Sequence, residues 1–225
     1  MQDYTAMLEK LAVMDYPSMI RIGNKYDGGY VIADCGGYDF FIGCGVGERG
    51  NDNIDFEKGF IKKYNVKGLL YDGTIKKTPE HIEDILFVRM NIDGANTPET
   101  TNLSFESEPY KNIFLKMDIE GFEWNWLTTL ENPLAYKQMV IEFHNLMTEK
   151  QLLAINKVLE THNIVHAHGN NNGPKKYDIP ETLEITFLRK DVPVNGFVKS
   201  LPRKEDSPNC KYKKDYILEY PFVRT

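Results

Sequence analysis

Three carboxylates crowd one short stretch of this chain: Asp118, Glu120 and Glu123 lie around Gly121 at the end of the apolar run Asn112-Ile-Phe-Leu-Lys-Met-Asp-Ile-Glu-Gly-Phe-Glu123. Like charges so close raise one another's pKa and cost stability unless a cation, a ligand ammonium or hydrogen bonds compensate. The segment therefore reads as a place for a metal or an amino group; the rival reading makes Glu120 and Glu123 first-turn acids favoured by a helix dipole. A second run, Val140-Ile-Glu-Phe-His144, puts Glu142 and His144 on one side of a strand and Ile141 and Phe143 on the other, because successive side chains alternate. Polar groups on one face of an apolar strand are expensive unless used. If the two runs are neighbours in a sheet, His144 meets Asp118, and either can serve as a base. Asp118, Glu142 and His144 would also form an oxygen and imidazole ligand set that suits magnesium or manganese. A hydrogen-bonded core histidine is the plainer alternative.

A third run, Asp39-Phe-Phe-Ile-Gly-Cys-Gly-Val-Gly47, ends in glycines, which let backbone approach a nucleotide-like ligand, and Gly45-Val-Gly-Glu-Arg-Gly50 satisfies GxGxxG. The next strand closes in Tyr71-Asp-Gly73, where Asp72 could accept bonds from both ribose hydroxyls or simply cap a turn. Asp72 lies 27 residues beyond Gly45, farther than the ~20 of the dinucleotide fingerprint. His166-Ala-His168 and Gly169-Asn-Asn-Asn172 form a polar loop suited to a polyhydroxylated ligand, or a turn that needs Asn and Gly for positive φ. His168, Asn170 and Asn171, with Glu120 and Glu142, are the candidate substrate contacts.

These residues need strand ends to gather them, and the pattern supplies strands. Residues 39–42, 68–71, 86–90, 113–117, 138–143, 164–167 and 183–188 read as seven main strands. Helices are expected at 53–64, 79–85, 121–130 and 148–161. Such alternation predicts an α/β, doubly wound, mostly parallel sheet, and residues 183–188 alternate as a terminal antiparallel strand would. A lead-in helix at 1–14 and a β-hairpin of 19–22 with 30–33 around Asp27-Gly-Gly29 precede it. The expected organisation is one domain: helix and hairpin to residue 38, core sheet over 39–190, and an irregular C-terminal cover over 191–225.

At 225 residues with a formal charge of -6, acids and bases are interspersed and no basic stripe argues for nucleic acid. Lys175-Lys176 and the lysines of 211–214 read as solvated faces. No window reaches the ~18 apolar residues of a membrane span. The amino terminus resembles neither a secretory signal nor a transit peptide, so the expectation is cytosolic. Cys35, Cys44 and Cys210 match no zinc spacing and are expected as free thiols.

Taken together, Arg21-Ile-Gly23, Asp27-Gly-Gly-Tyr-Val31, Ile42-Gly-Cys-Gly45, Tyr71-Asp72, Lys116-Met-Asp-Ile-Glu-Gly-Phe-Glu123 and Ile141-Glu-Phe-His144 resemble the FkbM-like branch of class I S-adenosylmethionine-dependent methyltransferases. The resemblance covers most of the chain and is most specific in Asp-Ile-Glu-Gly-x-Glu; extra length at 47–50 departs from it, leaving the place of Glu48 open. It implies a Rossmann-like seven-stranded sheet, an S-adenosyl-L-methionine donor over the first strand ends, and O-methylation of a hydroxyl on a sugar, sugar nucleotide or surface glycan. It also implies Gly43, Cys44 and Gly45 along the methionine part of the donor, Asp72 on the ribose, Asn91, Ile92 and Asp93 near adenine, and Asp118 near the methyl group. Metal use and self-association into a homo-oligomer stay open. Two other classes compete: a NAD-dependent oxidoreductase or sugar nucleotide enzyme would share the glycine turn and Asp72, and a non-catalytic carbohydrate-binding protein would account for the loop around His168.

Overall fold

A computed structural model of the chain describes residues 4–47, 54–145, 148–176 and 178–224. The elements are α1 (Tyr4–Glu9), β1 (Met19–Gly23), β2 (Gly29–Ala33), β3 (Phe40–Cys44), α2 (Asp55–Tyr64), β4 (Gly68–Tyr71), β5 (Ile85–Val88), β6 (Asn91–Ile92), β7 (Thr100–Thr101), α3 (Ser104–Ser107), β8 (Ile113–Met117), α4 (Glu123–Thr129), β9 (Tyr136–Phe143), α5 (Glu149–Val158), β10 (His162–Gly169), β11 (Lys175–Lys176), β12 (Ile179–Pro180) and β13 (Leu183–Arg189). The central sheet runs β10-β13-β9-β8-β3-β4-β5. β13, the last strand in sequence, is antiparallel to both β10 and β9, and the remaining neighbours pair in parallel. The expected seven-stranded, mostly parallel α/β sheet is therefore present, with its antiparallel strand inserted one place from the edge.

Alternation along the strands sorts the core onto two faces. Phe41, Phe114 and Val140 meet Phe56 and Phe60 of α2 and Tyr30 and Ile32 of the β1–β2 hairpin. Ile42, Leu115 and Ile141 meet Trp126 and Leu127 of α4, Leu152 and Ile155 of α5, and Phe222 near the carboxyl end. The hairpin thus takes a place in one covering layer that a second helix would otherwise fill. Local signals set several boundaries. Thr148 and Gln151 form a capping box that starts α5, and Asn65, at φ 53°, ends α2 in the left-handed conformation.

Two expected helices differ. The stretch 79–85 forms no helix: Asp84 has φ 67°, Ile85 already begins β5, and only a few residues remain, too few to repay nucleation. The lead-in helix ends at Glu9 within the described residues, because Val13 donates to the Phe222 carbonyl and Met14 to that of Ile164, drawing the backbone out straight. Cys35, Cys44 and Cys210 are unpaired. No helix among the described residues is long and apolar enough to cross a membrane.

The C-terminal segment is held to the β10 edge by buried charge. His166 Nε2 lies 2.9 Å from Asp206, and His168 lies 3.3 Å from Glu184 and 2.9 Å from Asp215. Burial alone would lower the His168 pKa, but hydrogen bonds to Asp215 and Glu184 outweigh it and raise it to about 10. Burial would raise Asp206, but the charge of His166 brings it down to about 2. A raised histidine stabilises fully below its unfolded value of 6.5 and loses that contribution as pH climbs toward about 10; a depressed aspartate stabilises above 3.8 and fails as pH falls toward about 2. Limited proteolysis should therefore cut the 202–217 segment progressively faster from pH 7 to pH 10, and His168→Gln should flatten that dependence.

Candidate functional site

The site lies where β3, β4 and β8 end together. The Asp118 amide donates to the Cys44 carbonyl at 3.0 Å, and the Gly45 amide to the Tyr71 carbonyl at 2.9 Å. Gly45 has φ +85°, and a Cβ there would overlap the Asp118 carbonyl oxygen, so only glycine lets the two strand ends meet. Gly43 is confined as well, since a Cβ would come within 2.8 Å of Leu70. The glycine turn and the acidic segment, 73 residues apart in the chain, are thus in direct contact. Glu48, Arg49 and Gly50, which complete the GxGxxG pattern, lie outside the described residues.

Asp118, Glu142 and His144 each offer one ligand atom, and those atoms all lie within 4.8 Å of one another. His144 Nε2 is 4.0 Å from Asp118, 3.9 Å from Glu142 and 3.6 Å from the exposed Glu120. Its Nδ1 is 3.2 Å from Glu123, whose same oxygen accepts the His144 amide at 2.5 Å while the other accepts the Gly121 amide at 2.8 Å. Glu123 therefore both opens α4 and orients the imidazole, leaving Nε2 toward the acids. Burial would depress the His144 pKa, and the hydrogen bond and charge of Glu123, followed by Asp118 and Glu120, raise it instead.

The Tyr30 hydroxyl lies 3.0 Å from Asp118 Oδ2 and 3.1 Å from Glu142 Oε2. One hydroxyl has one proton to give, so a full bond to each acid requires a proton on one of them. Burial, then the charges of Asp118 and Glu184, push the Glu142 pKa well above its ordinary value. Asn170 donates to its other oxygen at 2.8 Å.

Lys116 lies beneath this layer, 5% exposed, in a strand whose other residues are apolar. Its Nζ donates to the Gly45 carbonyl at 2.7 Å, stands 3.8 Å from the fully buried Glu57, and lies over the Tyr30 ring. Burial would lower its pKa, but the charges of Glu57 and Asp118 raise it. Sequence reasoning assigned no role to Lys116, Glu57 or Tyr30. A lysine inside an apolar strand was a usable signal for the first; nothing local marked the other two.

Asp72 accepts five hydrogen bonds: from the amides of Val46 and Gly47 on one oxygen, and from Thr74 N, Thr74 Oγ1 and Ile75 N on the other. These outweigh burial and hold its carboxyl below the ordinary range. It is a turn cap and a tether for the glycine turn at once, and a ribose would have to displace part of that set. Asn91 packs on Gly73, Ile92 is buried in the core, and Asp93 accepts the Gly94 amide at 2.6 Å.

Three further candidates have buried side chains. The Cys44 side chain is buried in the apolar core, so only its backbone reaches the site. His168 is buried under the C-terminal segment with both ring nitrogens engaged. Asn171 is fully buried, donating to the carbonyls of Cys210, Lys213 and Lys214 and accepting the Cys210 amide. The polar loop is an anchor for the chain's own tail, and Asn170 alone turns toward the acids.

No protein-family model and no curated protein matches the chain. Among solved structures, bluetongue virus VP4, described as a multifunctional RNA-capping production line, is similar over 81% of this chain and 29% of its own, with 12% identity and a TM-score of 0.34. This chain thus spans less than a third of that protein, and a likeness at that level carries no assignment of activity.

The Lys116–Glu57 pair yields a stability prediction. Lys116→Met leaves Glu57 buried and unpaired and should destabilise by about 3–5 kcal/mol. Adding Glu57→Met should recover most of that loss in urea unfolding, because two apolar groups need no counterion.

Proposed function

We propose that this chain is an S-adenosylmethionine-dependent O-methyltransferase whose acceptor is a hydroxyl of a sugar. The observation that carries the reading is the contact between the positive-φ turn at Gly45 and the end of β8 at Asp118. A close-approach backbone turn suits a nucleoside-bearing donor, and beside it stands a group of acids and an imidazole able to handle a hydroxyl proton. Gly43 and Gly45 would border the donor's amino-acid end, Asn91 to Asp93 its base, and Asp118 its methyl group. A nicotinamide enzyme would share the turn but would leave the acids around Gly121 without a purpose.

Transfer from a sulfonium needs little covalent help, because the leaving group is already cationic. The protein must align a hydroxyl oxygen with the methyl carbon and take its proton. His144 Nε2, aimed at the acids by Glu123, is one base, and Asp118, part-exposed beside it, is the other. Tyr30 and Asn170 hold Glu142 in place.

Asp118, Glu142 and His144 also fit a divalent ion: two carboxylates and an imidazole converge, and burial with the charge of Asp118 pushes the Glu142 pKa up where a cation would bring it down. Magnesium or manganese held there would lower the pKa of the acceptor hydroxyl.

Calorimetry with S-adenosylhomocysteine should give saturable binding, with none to NAD; the reverse would sink the proposal. Asp118→Ala should abolish methyl transfer in a chain that still folds, as read by circular dichroism. Manganese should raise the melting temperature of the native protein and leave that of an Asp118→Asn, Glu142→Gln variant unmoved.

A further inference from the structure

The two short basic runs, distant in sequence, meet in the fold. Asn171 draws the backbone of 210–214 against the β11–β12 hairpin, Lys213 Nζ donates to the Asn172 carbonyl at 3.1 Å, and Tyr216 donates to that of Gly173 at 2.8 Å. Lys175, Lys211, Lys213 and Lys214 are all exposed, and none makes an ion pair among the described residues. The acids on these two segments are Asp178, Glu181 and Asp215, and Asp215 is taken by His168. Tyr212, 85% exposed, stands among the lysines with Lys211 over its ring.

The position of this patch matters more than its charge. β10 ends at Gly169, and the next residue, Asn170, reaches Glu142 at 2.8 Å; Asn171 after it holds the lysine-bearing tail. Adjacent residues therefore hold the two parts: Asn170 touches the acidic cluster through Glu142, and Asn171 the backbone carbonyls of the segment that carries the lysines. In a chain of net charge -6, exposed lysines without acidic partners among the described residues are groups on which an anion can be held.

We infer that the rim formed by Lys175, Lys211, Lys213 and Lys214 binds a phosphate or diphosphate group on the acceptor, while the sugar hydroxyl reaches the cluster at Asp118 and His144. This deepens the methyltransferase reading and rests on it. An acceptor of this kind is a sugar joined through phosphate to a carrier, and the carrier is either a nucleoside or a lipid. The exposed ring of Tyr212 offers a stacking surface to the first.

The test compares the native full-length chain with a Lys175→Glu, Lys211→Glu, Lys213→Glu, Lys214→Glu variant, using inorganic pyrophosphate as the probe and S-adenosylhomocysteine as the control. Pyrophosphate affinity should fall by about tenfold or more in the variant, and should fall in the native protein as salt is raised, while S-adenosylhomocysteine affinity stays within about twofold. Equal pyrophosphate affinity in both proteins, or none in the native chain, overturns the inference whether or not S-adenosylhomocysteine binds. Failure of S-adenosylhomocysteine to bind either protein strikes instead at the methyltransferase reading. The carriers are separated by uridine diphosphate in solution and by phosphatidylcholine vesicles doped with phosphatidic acid: the arm in which the native chain binds and the variant does not names the source, and no difference in either arm also counts against the rim.

Discussion

A buried cation holds the site together. Lys116 projects from the middle of the sheet into a layer that would otherwise be apolar, where an uncompensated charge is prohibitive. Its compensation comes from four different parts of the chain: the Gly45 carbonyl on the β3 turn, Glu57 on α2, the Tyr30 ring on the hairpin and the nearby charge of Asp118. Because each partner stands on a separate element, satisfying the lysine fixes the turn, the helix and the hairpin relative to the strand ends. The shape of the glycine turn is in this sense a consequence of electrostatics, with Asp72 securing it from the other side through the amides of Val46 and Gly47.

Above that layer the charges are arranged in the opposite sense. Acids outnumber cations at the strand ends, and their crowding pushes the pKa values of both Glu142 and His144 upward. The hydroxyl of Tyr30 joins Asp118 to Glu142, so the hairpin contributes a side chain to the acidic cluster as well as part of the cover. Farther along β10, histidines are buried against acids of β13 and the tail, so that the C-terminal segment is fastened by ionic bonds where apolar packing alone would leave its register loose. The same fastening, with Asn171, holds the lysine-bearing segment against the loop that follows β10.

Much of this was legible in the residue pattern. The alternation in Val140-Ile-Glu-Phe-His144 separates Glu142 from Ile141 and Phe143 as the sheet does, and the pairing of β8 with β9 sets His144 by Asp118. The loop at His168 to Asn172 stayed open between two readings for a clear reason: amides and imidazoles look alike in sequence whether their partner is a ligand or the chain's own tail, and the tail lies some forty residues on. Residues 79–85 misled because a few helix-favouring residues are too short to outweigh the strand that follows.

By itself the sequence determined the seven strands, the glycine turn that ends one of them and the acids that end others, because alternation and turn chemistry act over a few residues. Tertiary structure alone decided which groups meet: Lys116 with Glu57, Tyr30 between Asp118 and Glu142, His168 under Asp215, and Asn171 with the tail backbone. Those pairings depend on strand order and on a hairpin and a tail folding back over the sheet. Coulomb and hydrogen-bond energies act through space, and no local spacing records which distant residue will be the neighbour.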